Sequence, residues 1–334
     1  MSDVLLEVNN LKTYFFIPQG TVRAVDGVTF SLERGKSLGI VGESGAGKSV
    51  TGFAIINLLS KPGYISAGNV LFEGREINRL PEEEMRKIRG NRISMIFQDP
   101  MMTLNPVLTI STQMVETVLA HETVSKAQAV DIALDKLKKV HIPSPEKRLQ
   151  QYPHECSGGM RQRIVVAIAL LTNPALIIAD EPTTALDVTI QAEIMDLLQE
   201  LCESDQMGLI LITHDLGVVS QVTERIAVMY AGKIVEIGST QAVIHDPAHP
   251  YTKGLLESIP STAKQVKTSL PTIRGRVPSL AKMPEGCRFA GRCPYVRDIC
   301  RQARPPKVKT EDGREVLCFK LIDFEPVQEE EVTL

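Results

Sequence analysis

Eight consecutive residues, Gly42-Glu43-Ser44-Gly45-Ala46-Gly47-Lys48-Ser49, fit the spacing G-x-x-x-x-G-K-[ST] of a phosphate-binding loop. In that pattern successive backbone N–H groups point into a concavity, and the helix that follows, here from Val50 onward, presents its positive end to the same point. The glycines let the backbone approach without Cβ clashes, Lys48 can reach β- and γ-phosphates, and Ser49 can ligate Mg²⁺. Farther along, an apolar stretch ends in Asp180-Glu181, with Pro182 directly after. Asp180 is suited to hold Mg²⁺ through its water shell, and Glu181 to polarise an attacking water as general base.

These groups need a strand, a turn and a helix in a set order. Residues 37–41 form a short buried-strand candidate, followed by the glycine-rich turn and a helical stretch through Leu59. Residues 176–180 and 209–213 are apolar strand candidates with a helical pattern at 190–202 between them, a β-α-β unit whose crossover should be right-handed. That alternation predicts an α/β fold with a largely parallel sheet, which places Asp180 and Glu181 at the sheet's carboxyl edge beside the phosphate loop. Residues 4–8 and 22–32, separated by Pro18-Gln19-Gly20, predict strands of an antiparallel sheet ahead of the parallel core, and 112–140 an inserted helical region. After Gly238 prolines recur from Pro247 to Pro294, and four of the six cysteines fall between 287 and 318. A second, smaller domain is expected from about 240, ending in a solvated tail around Glu329-Glu330-Glu331.

Composition narrows the function classes. With 334 residues, 43% apolar and 23% charged, the chain can bury a substantial core and should make about two domains. The longest apolar run, 164–171, is far below the roughly 20 residues of a membrane-crossing helix. Asp3, Glu7 and Asn9-Asn10 near the start do not form an export signal, so a cytosolic protein is expected. The balance of 37 basic against 40 acidic residues offers no global positive field for nucleic acid.

Cys156-Ser157-Gly158-Gly159-Met160-Arg161-Gln162-Arg163 resembles the Leu-Ser-Gly-Gly-Gln signature of ATP-binding-cassette (ABC) ATPases. Ser157, Gly158 and Gly159 open a helical pattern and so supply a second set of outward N–H donors. The resemblance covers about residues 4–240. It implies a RecA-like parallel core with an N-terminal antiparallel sheet and an inserted helical subdomain at about 104–173. It further implies head-to-tail dimers in which one subunit's signature closes on ATP held by the other's phosphate loop. Phe15, with Tyr14 and Phe16 beside it, resembles the aromatic residue that stacks on adenine. Gln98 resembles the Q-loop glutamine, which senses Mg²⁺ and the attacking water. Thr184-Ala185-Leu186-Asp187 resembles the D-loop, and His214 the switch histidine at the γ-phosphate. Cys156 and Met160 depart from the signature, the second removing an amide that could contact nucleotide. ATP binding and hydrolysis are both expected.

Further motifs resemble the dipeptide/oligopeptide permease branch of the family. They are Phe97-Gln98-Asp99-Pro100 with Leu104-Asn105-Pro106, His249-Pro250-Tyr251-Thr252, Gly275-Arg276-Val277-Pro278-Ser279-Leu280 and Pro284-Glu285-Gly286-Cys287. Ser49-Val50-Thr51 and Thr13-Tyr14-Phe15-Phe16 resemble the first of two paralogous ATPases, the D-type. The resemblance implies an ATP-driven peptide importer subunit, peripheral on the cytoplasmic side of the membrane. Its partners would be a paralogous ATPase, two integral-membrane permease subunits and, indirectly, a peptide-binding protein. Nickel or another small solute is the alternative cargo, and a soluble ABC ATPase acting on nucleic acid the alternative outside transport.

Cys287, Cys293, Cys300 and Cys318 place four thiols in the proline-rich region. Disulfides are disfavoured in a reducing cytosol, and no Cys-x₂₋₄-Cys knuckle of the kind usual for zinc is present. Soft thiolates without that knuckle suit a [4Fe-4S] cluster, with Zn²⁺ and four independent reduced cysteines as alternatives. Cys156 and Cys202 are expected to be buried and inert.

Overall fold

The computed structural model of the chain describes residues 3–18, 20–184, 186–259 and 272–322; Gln19, Ala185 and the acidic run 329–331 lie outside them. Strands β1 (Val4–Ile17) and β2 (Gly20–Glu33) pair antiparallel, and the chain then enters β3 (Ser37–Val41) and helix α1 (Lys48–Ile55). It returns as β4 (Gly63–Phe72) and β5 (Arg75–Glu76), which complete an antiparallel sheet of order β2-β1-β4-β5. Helix α2 (Glu82–Ile88) leads to β6 (Ile93–Ile96). Five helices follow before the next strand: α3 (Pro100–Thr103), α4 (Ile110–His121), α5 (Lys126–Lys139), α6 (Pro145–Leu149) and α7 (Gly158–Ala169). Then come β7 (Leu176–Asp180), α8 (Val188–Asp205), β8 (Gly208–Thr213), α9 (Leu216–Val222), β9 (Arg225–Tyr230) and β10 (Lys233–Ser239).

Strands β6, β7, β8, β3 and β9 lie side by side and parallel, and β10 adds antiparallel to β9. The parallel strands read as unbroken apolar runs because both faces of the sheet are covered. Their side chains alternate between two cores. Leu176, Ile178, Ile210 and Ile212 pack with α1 and the antiparallel sheet, through Ile55, Leu6 and Val8. Ile177, Ala179, Leu209 and Leu211 pack against the helical side, with Met114, Ile164, Leu198 and Val219. Complete burial of one such Ile or Leu stabilises the fold by roughly 1.5–3 kcal/mol.

The region beyond 240 departs from expectation. Helices α10 (Thr240–His245), α11 (Pro250–Glu257) and α12 (Asp298–Gln302) and strands β11 (Lys307–Lys309) and β12 (Glu315–Leu317) do not make a separate cysteine-rich domain. Strand β12 pairs with β10, Glu236 opposite Val316, so one eight-stranded mixed sheet runs through core and extension. Tyr251 and Phe289 are buried in the helical-side core. Prolines break the regular elements here, as read from the sequence, but the segment gains its burial from the core rather than from itself.

Buried ion pairs fasten it. Glu236 on β10 is fully buried; it accepts from the N–H groups of Ala248 (2.9 Å) and His249 (3.0 Å) and pairs with Arg314 at 3.3 Å. Arg288 pairs with Asp26 on β2, and Arg292 with Glu43 of the phosphate loop at 2.6 Å. Burial also holds His249 neutral, its pKa pulled down to about 3, which leaves Nδ1 free to accept from Tyr251 N–H at 3.0 Å.

Candidate functional site

Strand β3 delivers the chain to residues 42–47, and α1 begins at Lys48. Two glycines are required by space. A Cβ on residue 42 would lie 2.2 Å from the Met229 carbonyl oxygen, and one on residue 47, where φ is +101°, would lie 2.3 Å from that of Ala24. The loop is thereby pressed against β9 and β2, and the first-turn N–H groups of α1, which have no acceptor inside the helix, face outward. Lys48 is buried and donates from Nζ to the carbonyls of Gly42 (2.8 Å) and Glu43 (3.2 Å). Burial lowers the pKa of its ammonium, opposed by the nearby charges of Glu181, Asp180 and Glu43.

The parallel register brings the ends of β7 and β8 to the same edge. Ser49 Oγ donates to Asp180 Oδ1 at 2.9 Å, although 131 positions separate them. Burial raises the Asp180 pKa, and the Ser49 hydrogen bond works against that shift. Glu181 follows with φ at +45°, in the left-handed region, and its carboxylate is a meeting point. Oε2 accepts from Gln98 Nε2 (3.1 Å) and Thr184 Oγ1 (3.0 Å), while Oε1 faces His214 Nδ1 at 3.2 Å. Gln98 and His214, remote in sequence, thus converge with the nearby Thr184 on one carboxylate. They border a cavity of about 920 Å³ lined by loop residues 42–50 with Gln98, Glu181 and His214.

A hydroxyl and a carboxylate within hydrogen-bond distance, with a side-chain amide near, are hard oxygen donors of the kind Mg²⁺ takes alongside substrate phosphates. Ser49, Asp180 and Gln98 are the residues that would hold it, and the ion would neutralise charge on the phosphates.

Other residues named from the sequence lie apart. Ser157 caps α7, its Oγ accepting from Met160 N–H at 3.3 Å, and with Gly158 and Gly159 it is outside this cavity. Asp187 caps α8 by accepting from Ile190 N–H at 2.9 Å, and is also outside it. Phe15 is not among the residues that line the cavity either. Register pairs it with Gly63 on β4, where a Cβ would meet its ring at 2.5 Å, so the missing side chain makes the space that the ring fills. Tyr14 is tied by its hydroxyl to Asp26 at 2.9 Å, and Phe16 stacks on Tyr64 with centroids 5.2 Å apart.

Cys287, Cys293, Cys300 and Cys318 line one small cavity together, all as free thiols, and burial raises the pKa of Cys287 to about 11. Among the described residues, however, no group of three or more His, Cys, Asp or Glu side chains is arranged to hold a metal ion. The four thiols thus share a cavity without standing as a ready ligand set. A tetrahedral zinc with Zn–S near 2.3 Å would draw its sulfurs to within roughly 3.8 Å of one another. Cys156 and Cys202 are buried, and burial pushes the Cys202 thiol up to about 12.

Sequence reasoning missed the contribution of the extension. Tyr251 Oη accepts from Glu43 N–H at 2.8 Å, and Leu255, Gly275, Arg276, Val277 and Arg292 line the same cavity as the phosphate loop. No periodicity connects positions more than 200 residues apart, and the motif His249-Pro250-Tyr251-Thr252 does not by itself point to the phosphate loop.

A phosphate loop, a Mg²⁺-suited carboxylate and a second carboxylate gripped by a glutamine and a histidine define a nucleoside-triphosphate hydrolase of the P-loop class. The comparisons narrow this. A family described as ABC transporter matches residues 25–184, and one described as oligopeptide/dipeptide transporter, C-terminal region, matches 235–300. The chain is 48% identical to the oligopeptide transport ATP-binding protein OppD of Salmonella typhimurium, over 96% of this chain and 95% of that one. It is 50% identical to the dipeptide transport ATP-binding protein DppD of Bacillus subtilis, over 94% of each. Among solved structures, a dimeric post-hydrolysis state of the ATP-binding cassette MJ0796 with ADP and Pi superposes with a TM-score of 0.64 at 28% identity, covering 71% of this chain and 99% of that one. The chain belongs to the ABC-transporter family, among the ATP-binding proteins that carry the oligopeptide/dipeptide C-terminal region. It is an ATP-hydrolysing enzyme of that family, and among the described residues no helix is long and apolar enough to cross a membrane.

Proposed function

We propose that the chain is the ATP-hydrolysing motor of a peptide importer. The observation that carries this reading is the Glu181 carboxylate, held by Gln98, Thr184 and His214 beside the phosphate loop, in a chain whose relatives along nearly its whole length are oligopeptide and dipeptide transport ATP-binding proteins. Water attacks the γ-phosphorus and gives a proton to Glu181, the bond to the β–γ bridging oxygen breaks, and ADP and inorganic phosphate leave. Gln98 and His214 orient the water and the γ-phosphate. Ser157, Gly158, Gly159 and Asp187 serve the ATP of an opposing subunit, a reading supported by their position on helix starts outside this chain's own cavity. Phe15, half-buried on β1, takes the adenine ring of the bound nucleotide.

In this reading residues 1–240 are the nucleotide-binding part, with the inserted helices at about 104–173, and 241–334 are an extension docked on it. The opposing subunit is a paralogous ATPase, and the pair sits on the cytoplasmic side of the membrane beneath two permease subunits. Purification from native membranes should recover two integral-membrane proteins and a second ATPase with this chain. Recovery with nucleic acid and no membrane protein would overturn the reading.

The cysteine quartet is given a [4Fe-4S] cluster, supported by four soft donors around one cavity. Anaerobically purified protein should then contain iron and acid-labile sulfide and absorb in the visible. Colourless protein, with or without zinc, would remove the cluster.

A further inference from the structure

Part of the nucleotide cavity is walled by the extension, and the way that wall is held is specific. The Arg292 guanidinium grips Glu43 of the phosphate loop with two hydrogen bonds, 2.6 and 2.9 Å, and is itself largely buried. The same group donates from Nε to the carbonyl of Arg274 at 2.9 Å and from a terminal nitrogen to that of Ile273 at 3.3 Å. Farther along, Arg23 N–H on β2 donates to the carbonyl of Leu280 at 3.2 Å. The stretch 273–280 is thus anchored at both ends. Gly275 turns it at a φ of +77°, and Gly275, Arg276 and Val277 come to lie on the cavity wall.

Arg276 is exposed there, and among the described residues its guanidinium has no hydrogen-bond or ion-pair partner. The other cations on the wall are engaged: Lys48 by loop carbonyls and Arg292 by Glu43. Of the three cationic side chains Lys48, Arg276 and Arg292 on the wall, Arg276 is the one without a partner among the described residues. Its neighbours are the loop whose N–H groups await phosphate. A planar fork of donors on the rim of such a cradle is built to take phosphate oxygens in pairs.

We propose that Arg276 is a phosphate-binding residue of the nucleotide site, carried there by the C-terminal extension, which Arg292 staples to the phosphate loop. The ATP site of the chain is then complete only with its extension docked. This inference rests on the nucleotide reading given above.

The test is equilibrium binding of MgATP and MgADP to the full chain, wild type against Arg276→Ala and Arg276→Lys, at low and high salt. Because Arg276 is exposed and unpaired, its removal leaves the packing intact. Loss of one charge-assisted contact predicts MgATP binding weaker by about 5- to 30-fold in Arg276→Ala. Lysine should restore part of it, since it keeps the charge without the fork. The gap between wild type and Arg276→Ala should narrow at high salt, as screening dictates for a rim charge. Hydrolysis should show KM raised and kcat within about threefold, the mark of uniform binding rather than of the chemical step. An Arg276→Ala chain that binds MgATP within about twofold of wild type, or that loses kcat with affinity intact, overturns the inference while leaving the ATPase reading in place. A wild-type chain that does not bind MgATP sinks both.

Discussion

Replacing Glu181 with glutamine is expected to leave MgATP bound and to slow its hydrolysis by on the order of 10²- to 10⁴-fold, the range for losing a general base. The geometry explains why binding survives. Glutamine has the shape of glutamate, and its amide oxygen can still accept from Gln98 Nε2 and Thr184 Oγ1, which hold Oε2 at 3.1 and 3.0 Å in the native chain. A neutral amide, however, cannot receive the proton of the attacking water, and it removes the negative charge that faces His214 Nδ1 at 3.2 Å. Single-turnover phosphate release, with nucleotide retention measured on the same protein, separates the two effects. Turnover at the wild-type rate would transfer the base function to another residue. Lost binding would instead mean that the Glu181 node shapes the cradle itself.

Replacing Lys48 with alanine acts on the preceding step. The ammonium is buried under the loop and balances Glu181, Asp180 and Glu43. Without it the charges nearest the cradle are mainly negative, and an incoming triphosphate meets repulsion in place of a counter-charge. Loss of hydrogen bonds to a charged group alone predicts weakening on the order of 10- to 100-fold, and the changed field adds to that. The carbonyls of Gly42 and Glu43 also lose the donor that folds the loop over Lys48. Saturating MgATP should therefore raise the melting temperature of the wild type through linkage and leave that of Lys48→Ala unmoved at the same concentration. An equal nucleotide-induced shift in both proteins would exclude Lys48 from the phosphate site.

The two variants probe parts of the site that differ in how they were legible. The phosphate cradle is local: its glycines, Lys48 and Ser49 are contiguous, and one strand, one turn and one helix suffice to aim them. Asp180 and Glu181 could be placed because an apolar strand covered on both faces is an unbroken hydrophobic run, and its end marks the sheet edge. Pairing register then decides more than composition can. Phe15, for instance, gains Gly63 as the neighbour of its ring only through strand pairing, which no spacing within β1 reveals.

The C-terminal region shows the same division at larger scale. Prolines and clustered cysteines suggested a body of its own, and in one dimension nothing contradicts that. Yet Glu236 is a buried carboxylate inside β10 that needs Arg314 and two N–H groups from the extension, and Tyr230, Tyr251 and Phe289 stack edge to face across the junction. An unpaired charge in that position would be strongly destabilising, so core and extension require each other. The phosphate chemistry, the order of the motifs and the two-sided burial of the strands follow from residues close together or from their periodicity, and so can be read along the chain. Folding alone brings Gln98 and His214 to the Glu181 carboxylate, joins the extension to the core sheet and carries Arg276 and Arg292 to the nucleotide cavity. Those contacts join positions remote along the chain, and they exist only once packing has brought the segments together.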